Sequence, residues 1–139
     1  MAAAAATNAN CIFCKIIKGA IPSMKLVETE LSFAFLDIGP ISRTGHLVIP
    51  KHHGEKLTDM PDEYLADVMP VAKKIATALG CADYNILQNN GRLAHQEVPH
   101  VHFHVIPKSE KDGLEIGWPV QKMEQDELKA LHTKIMANL

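Results

Sequence analysis

Residues 99–106 read PHVHFHVI, so His100, His102 and His104 fall at every second position. In a strand, alternate side chains share a face, which would line the three imidazoles along one side and turn Val101, Phe103 and Val105 towards a core on the other. Two chemistries suit such a row. A metal site is one, but like side chains recur only every ~6.7 Å along a strand, so three imidazoles on one flat strand cannot converge on an ion without a bend. Chemistry on phosphorus is the other, because a neutral imidazole is a good nucleophile at neutral pH and a neighbouring imidazole can hold or deliver a proton. Plain surface histidines are a poor account of three in register in a chain that has eight. The second candidate is CIFC, residues 11–14. A Cys-x2-Cys pair is idle, redox-active or half of a metal site.

The elements that must position these groups follow from periodicity and punctuation. Cys11 to Lys18, mostly apolar and ending at Gly19, predicts a short helix. MKLVET and LSFAFLDI predict two strands of a meander, and GHLVIP a third closed by Pro50. From Pro61 to Leu79 the positions Tyr64, Leu65, Val68, Ala72, Ile75, Ala76 and Leu79 recur at helical spacing, with Gly80 suited to the end and Pro70 predicting a kink. YNILQN predicts a fourth strand, NG opens a loop running to Val98, and HVHFHVIP predicts a fifth. Leu128, Leu131, Ile135 and Leu139 predict a C-terminal helix. Together these give an α+β class with a mainly antiparallel five-stranded sheet, one long crossover helix between the third and fourth strands, and a C-terminal helix. The expected organisation is a disordered lead over 1–10, the domain over 11–110 and an extension with a helix over 111–139.

Composition narrows the function classes. The 139 residues suit one domain, and 47% hydrophobic with 22% charged residues is ordinary for a globular chain. A formal charge of -2 gives no basic footprint, which argues against polymeric nucleic acid while leaving a single nucleotide open. The opening MAAAAATNAN reads as neither a signal peptide nor a membrane span, so no membrane partner is expected. Cys11, Cys14 and Cys81 are therefore expected in a reducing compartment, the cytoplasm and also the nucleus.

HVHFHVI fits the pattern of three histidines separated by single apolar residues, and CIFCKIIKGAIP, FAFLDIGP, LVIPKHH, YNILQNNG and HQEVPHVHFHVIPK accompany it in order. Over roughly residues 11–110 the chain resembles the histidine triad (HIT) superfamily, in its Hint-like branch of nucleotide hydrolases and transferases. The resemblance implies a HIT-like fold, a homodimer joined sheet to sheet, and attack of His102 on the α-phosphorus of a purine nucleoside phosphoramidate or related adenylate. A nucleotidyl-histidine would form and water would release it, with His104 assisting against the phosphate. It further implies Asp37 on the ribose hydroxyls, an apolar slot for an AMP- or GMP-like base from Ile12, Phe13, Ile16, Phe35 and Ile38, and polar contacts from Asn89 and Gln96. A fourth family histidine corresponds most nearly to His46, which lies one residue closer to Pro50 than the pattern has it, with Gly45 in the expected place. A one-residue slip turns a side chain to the other face unless a bulge restores it. Glu97 stands where Hint enzymes carry a serine near the leaving group. Relatives with the N-terminal cysteine pair hold structural zinc, which would implicate Cys11, Cys14, His53 and His100 here. Two other readings remain at this point, a nucleotide-binding adaptor with little turnover and a dinucleoside polyphosphate hydrolase. A histidine-metal hydrolase would instead lose activity with a chelator.

Overall fold

The computed structural model describes residues 4–37 and 45–139. A short helix, α1 (Ile12–Ile17), precedes the antiparallel strands β1 (Lys25–Glu28), β2 (Ser32–Leu36) and β3 (His46–Pro50). Helix α2 (Asp62–Leu79) crosses over to β4 (Asp83–Leu87), β5 (Phe103–Lys108) follows, and α3 (Gln125–Met136) lies near the C-terminus. The sheet order is β1-β2-β3-β5-β4, so β5 inserts between β3 and β4, antiparallel to both. This is the α+β, five-stranded architecture that the periodicity predicts.

Both faces of the central strands are covered, which is why FAFL and LVIP read as continuous apolar runs rather than alternating ones. On one face Ala34, Val48, Val101, Phe103 and Val105 pack against Tyr64, Val68, Ala72 and Ile75 of α2. On the other, Phe33, Phe35, Leu47 and Ile49 meet Phe13, Ile16 and the two cysteines of α1 and its cap. Each fully buried branched side chain contributes about 1.5–3 kcal/mol of transfer free energy, so the two layers fix which face every β5 residue presents. Helix α2 passes through Pro70 as one unbroken element because Pro70 lies on its exposed side, where the carbonyl freed a turn earlier is solvated. It ends at Gly80, whose φ of 64° closes the helix with a bond to the Thr77 carbonyl.

Two expectations change. The fifth strand begins at Phe103 rather than His100, because the backbone N–H groups that would extend its ladder are engaged elsewhere. Val101 donates to the Gly54 carbonyl and His100 to that of Val98, while Pro50 opposite has no N–H to give. The alternation of faces nevertheless persists backwards: Val101 lies in the α2 layer, and His100 and His102 are buried on the α1 side. The lead also carries contacts that a disordered segment would lack. His53 donates its backbone N–H to the Ala6 carbonyl, Ala6 donates to Nδ1 of His52, and Ala5 packs against the α2 core. At the other end α3 forms as expected but buries no residue, leaving Leu128, Leu131 and Ile135 exposed.

Candidate active site and metal cluster

The three histidines divide between two environments, and the Phe13 ring packs edge-on against a histidine of each, at 5.7 Å from His100 and 5.2 Å from His102. In one, His100 joins the cysteine pair. Its Nδ1 lies 3.4 Å from Cys11 Sγ, 3.7 Å from Cys14 Sγ and 3.2 Å from His53 Nδ1, and Cys14 Sγ is 3.5 Å from His53 Nδ1. An ion held tetrahedrally at the usual zinc bond lengths would separate sulfur from nitrogen by ~3.6 Å and two nitrogens by ~3.3 Å, so the four donors already stand at ligand spacing. All four atoms fall within 4.8 Å of one another. The second ring nitrogen of His100, Nε2, lies 2.8 Å from the Pro50 carbonyl. A carbonyl only accepts, so Nε2 carries the proton and Nδ1 presents its lone pair to the cluster. Burial pushes His100 down to about 4, keeping it neutral and fit to ligate near pH 7. Burial also pushes the Cys14 thiol up, a cost that a bound cation would reverse by drawing off its proton. The cluster can hold a metal ion. Three of its members are buried, and Cys11 and His53 also line a hollow of about 270 Å³.

In the other, His102 and His104, with Phe13, line a cavity of about 780 Å³, and the two imidazole rings stand 5.0 Å apart. Nδ1 of His102 donates to the His100 carbonyl at 2.6 Å, so Nε2 is the lone-pair nitrogen of the neutral ring. Burial lowers the pKa of His102, opposed by that hydrogen bond and by the charges of Asp37 and Glu97. Burial, helped by repulsion from His102, takes His104 down to about 4. Both rings are thus neutral near pH 7 in the free protein.

Of the residues expected in the site, Ile12, Phe13, Ile16, Phe35, Asp37 and Asn89 line the cavity, as does Glu97. Ile38 lies outside the described residues. Two do not line it. Gln96 is buried and spends its amide on the loop, donating to the carbonyls of Glu55 at 2.6 Å and Val98 at 3.1 Å and accepting from Gly91 N–H at 2.7 Å. It holds the loop's shape and has no donor left for a ligand. His46 shares the α2 side of β3 with Val48, because β3 pairs with β2 in unbroken register and no bulge restores the direction of its side chain. There it is buried, its Nδ1 has no hydrogen-bond partner among the described residues, and burial lowers its pKa.

Other residues lining the cavity had no signal in the sequence reading. His95 does so from a left-handed backbone, φ 64°, that directs its carbonyl to Asn89 Nδ2. Leu114, Glu115, Ile116 and Trp118 reach the cavity from the extension after β5. Their proximity is set by how the chain returns, and no local pattern announces it. His52 takes a structural part, accepting from Ala6 N–H and packing against the Tyr64 ring.

Residues 18–111 match the family model described as the HIT domain. The chain belongs to the HIT family. Its relatives include adenosine 5'-monophosphoramidase HNT1 of Saccharomyces cerevisiae, 57% identical over 140 residues that span 100% of this chain and 89% of that one. The protein of the same description from Schizosaccharomyces pombe is 53% identical, across 94% of this chain and 98% of its own. Among solved structures, a histidine triad nucleotide-binding protein from Candida albicans superposes with a TM-score of 0.88 at 51% identity, covering 93% of this chain and 96% of that chain. HIT membership thus accounts for the sheet order, and the pair of imidazoles on the cavity lies within the matched region.

Proposed function

We propose that the protein is a HIT-family hydrolase of the adenosine 5'-monophosphoramidase kind, moving the nucleotidyl group of a purine nucleoside phosphoramidate first to His102 and then to water. The observation that carries this is the His102 hydrogen bond to the His100 carbonyl, which commits Nδ1 and leaves Nε2 as nucleophile beside an open cavity. In the first step the Nε2–P bond forms as the P–N bond breaks, and the departing nitrogen keeps the bonding pair and takes a proton. In the second, water attacks phosphorus, the Nε2–P bond breaks with its electron pair returning to the ring, and water's proton is lost to solvent. His104 has no proton to lend in the free protein, but the negative phosphate of a bound substrate would draw one onto it. The base rests among Ile12, Phe13, Ile16 and Phe35, and Asp37 accepts from the ribose hydroxyls.

The metal cluster is read as structural zinc, holding α1 against the sheet through Cys11, Cys14, His53 and His100. Zinc there supplies a rigid clamp, and no chemical step passes through it. We also infer a homodimer through β4. The opposite edge, β1, is short, bulged between Lys25 and Val27 and flanks its exposed Leu26 with Lys25 and Glu28, whereas the longer β4 presents exposed Tyr84 and Ile86. Free thiols suit a cytoplasmic or nuclear location, and among the described residues no helix is long and apolar enough to cross a membrane.

Incubation with adenosine 5'-phosphoramidate, with and without a brief chelator treatment, tests the reading. AMP release in both arms is expected. Tight nucleotide binding without turnover would instead support the adaptor, and prompt loss of turnover with the chelator, restored by metal, a metal hydrolase.

A further inference from the structure

Cavities that accept phosphorus esters commonly meet the anion with arginine or lysine. This one carries the opposite charge: apart from its imidazoles, the ionisable residues lining it are Asp37, Glu97 and Glu115, and among the described residues no lysine or arginine joins them. Asp37 continues the chain from Phe35 and Leu36 at the end given to the nucleoside. The two glutamates come from other directions, Glu97 from the loop before the histidines and Glu115 from the extension after β5. Glu97 also lines a second hollow of about 270 Å³ beside the first, formed with Asn8, Asn10 and His53, and Ile12 and Val98 are common to both. A leaving group that reached from the first hollow towards the second would therefore run alongside the Glu97 carboxylate.

Building on the phosphoramidase reading, we propose that Glu97, with Glu115 on the same cavity, selects substrates whose leaving amine bears a second, protonated amine, and disfavours those whose leaving group is anionic. An ammonium within ~4 Å of a carboxylate at the edge of a cleft gains enough for a preference of roughly fivefold, and an anion loses a similar factor. Both glutamates are exposed, so the preference should shrink as salt rises. A polyphosphate leaving group, with several negative charges, would be disfavoured most.

The test compares three adenosine 5'-phosphoramidates of matched chain length, made from diaminobutane, from pentylamine and from aminobutyrate, on the intact protein. The expected order of kcat/KM at low salt is ammonium, neutral, carboxylate. Glu97→Gln should narrow the ammonium-to-neutral ratio about fivefold, Glu115→Gln should narrow it less, and Glu97→Lys should reverse the preference between ammonium and carboxylate. Because each ratio is internal to one variant, a general loss of activity does not mimic the effect. Ratios that stay the same in wild type, Glu97→Gln and Glu97→Lys across the salt series would overturn the assignment while leaving the phosphoramidase reading intact. Failure of the wild type to hydrolyse any of the three would overturn both.

Discussion

His100 is fully buried with Nδ1 among two thiols and a second imidazole, whereas His102, two residues on, keeps Nδ1 on a backbone carbonyl and lines a cavity of about 780 Å³. The residue type and the stretch of chain are the same. What differs is which ring nitrogen a carbonyl has claimed. At His100 the Pro50 carbonyl takes Nε2 and leaves the Nδ1 lone pair facing a cluster that can hold a metal ion. At His102 the His100 carbonyl takes Nδ1 and leaves the lone pair on Nε2, the nitrogen proposed above to attack phosphorus. Phe13 packs edge-on against both rings. A histidine's role is thus set by its second hydrogen bond as much as by its position.

The sharpest way to break this division is His102→Ala. Turnover should fall by on the order of a thousandfold or more, because the nucleophile is gone, while metal content stays at the wild-type level. Loss of metal together with activity in that variant would show that the two sites are one. Next in size is the Cys11→Ser, Cys14→Ser double variant, which should release the metal and lower the melting temperature by about 10 °C, the shift that a few kcal/mol of lost clamping produces in a chain of this size. An unchanged melting curve with no metal in either protein would reduce the cysteines to packing.

Smaller effects sharpen the cavity side. Asp37→Asn should raise KM ten- to a hundredfold with a lesser change in kcat, since loss of a charge-assisted hydrogen bond costs about 1.5–3 kcal/mol and the ribose is remote from phosphorus. A change confined to kcat would place Asp37 at the chemistry instead. Least in size is the pH dependence. Burial lowers His102 and holds His104 at about 4, so the neutral nucleophile persists below the ordinary imidazole value of 6.5. As pH falls, kcat/KM should therefore reach its half-maximum below 6.5 rather than at it. A half-maximum at or above 6.5 in a pH profile would mean that the carboxylates of Asp37 and Glu97 outweigh burial at His102.

Periodicity carried most of the fold because strands buried on both faces and an amphipathic helix leave plain sequence marks, as in LVIP and in Tyr64, Val68, Ala72 and Ile75 of α2. The limits of β5 were not legible, since they depend on the carbonyl of Gly54, far away in sequence, capturing the Val101 N–H. Gln96 illustrates the same limit at the site. Its amide looked available for a ligand until Glu55, Val98 and Gly91 occupied it. The spacing of His46 from Pro50 did announce a change of face, but only the unbroken pairing with β2 decided that no bulge would undo it.

By itself the sequence determined the alternation that puts His100, His102 and His104 on one side, and the donor chemistry of CIFC and PKHH. These are properties of residue type and local spacing, and they hold wherever the chain is placed. Tertiary structure alone decided that His53 meets His100, 47 residues away in sequence, that Phe13 packs against two imidazoles, and that Leu114 to Trp118 return to the cavity. The reason is that each of these depends on closing a long loop against the sheet, a step whose entropy cost is met by the packing of both faces together and is not carried by any short stretch.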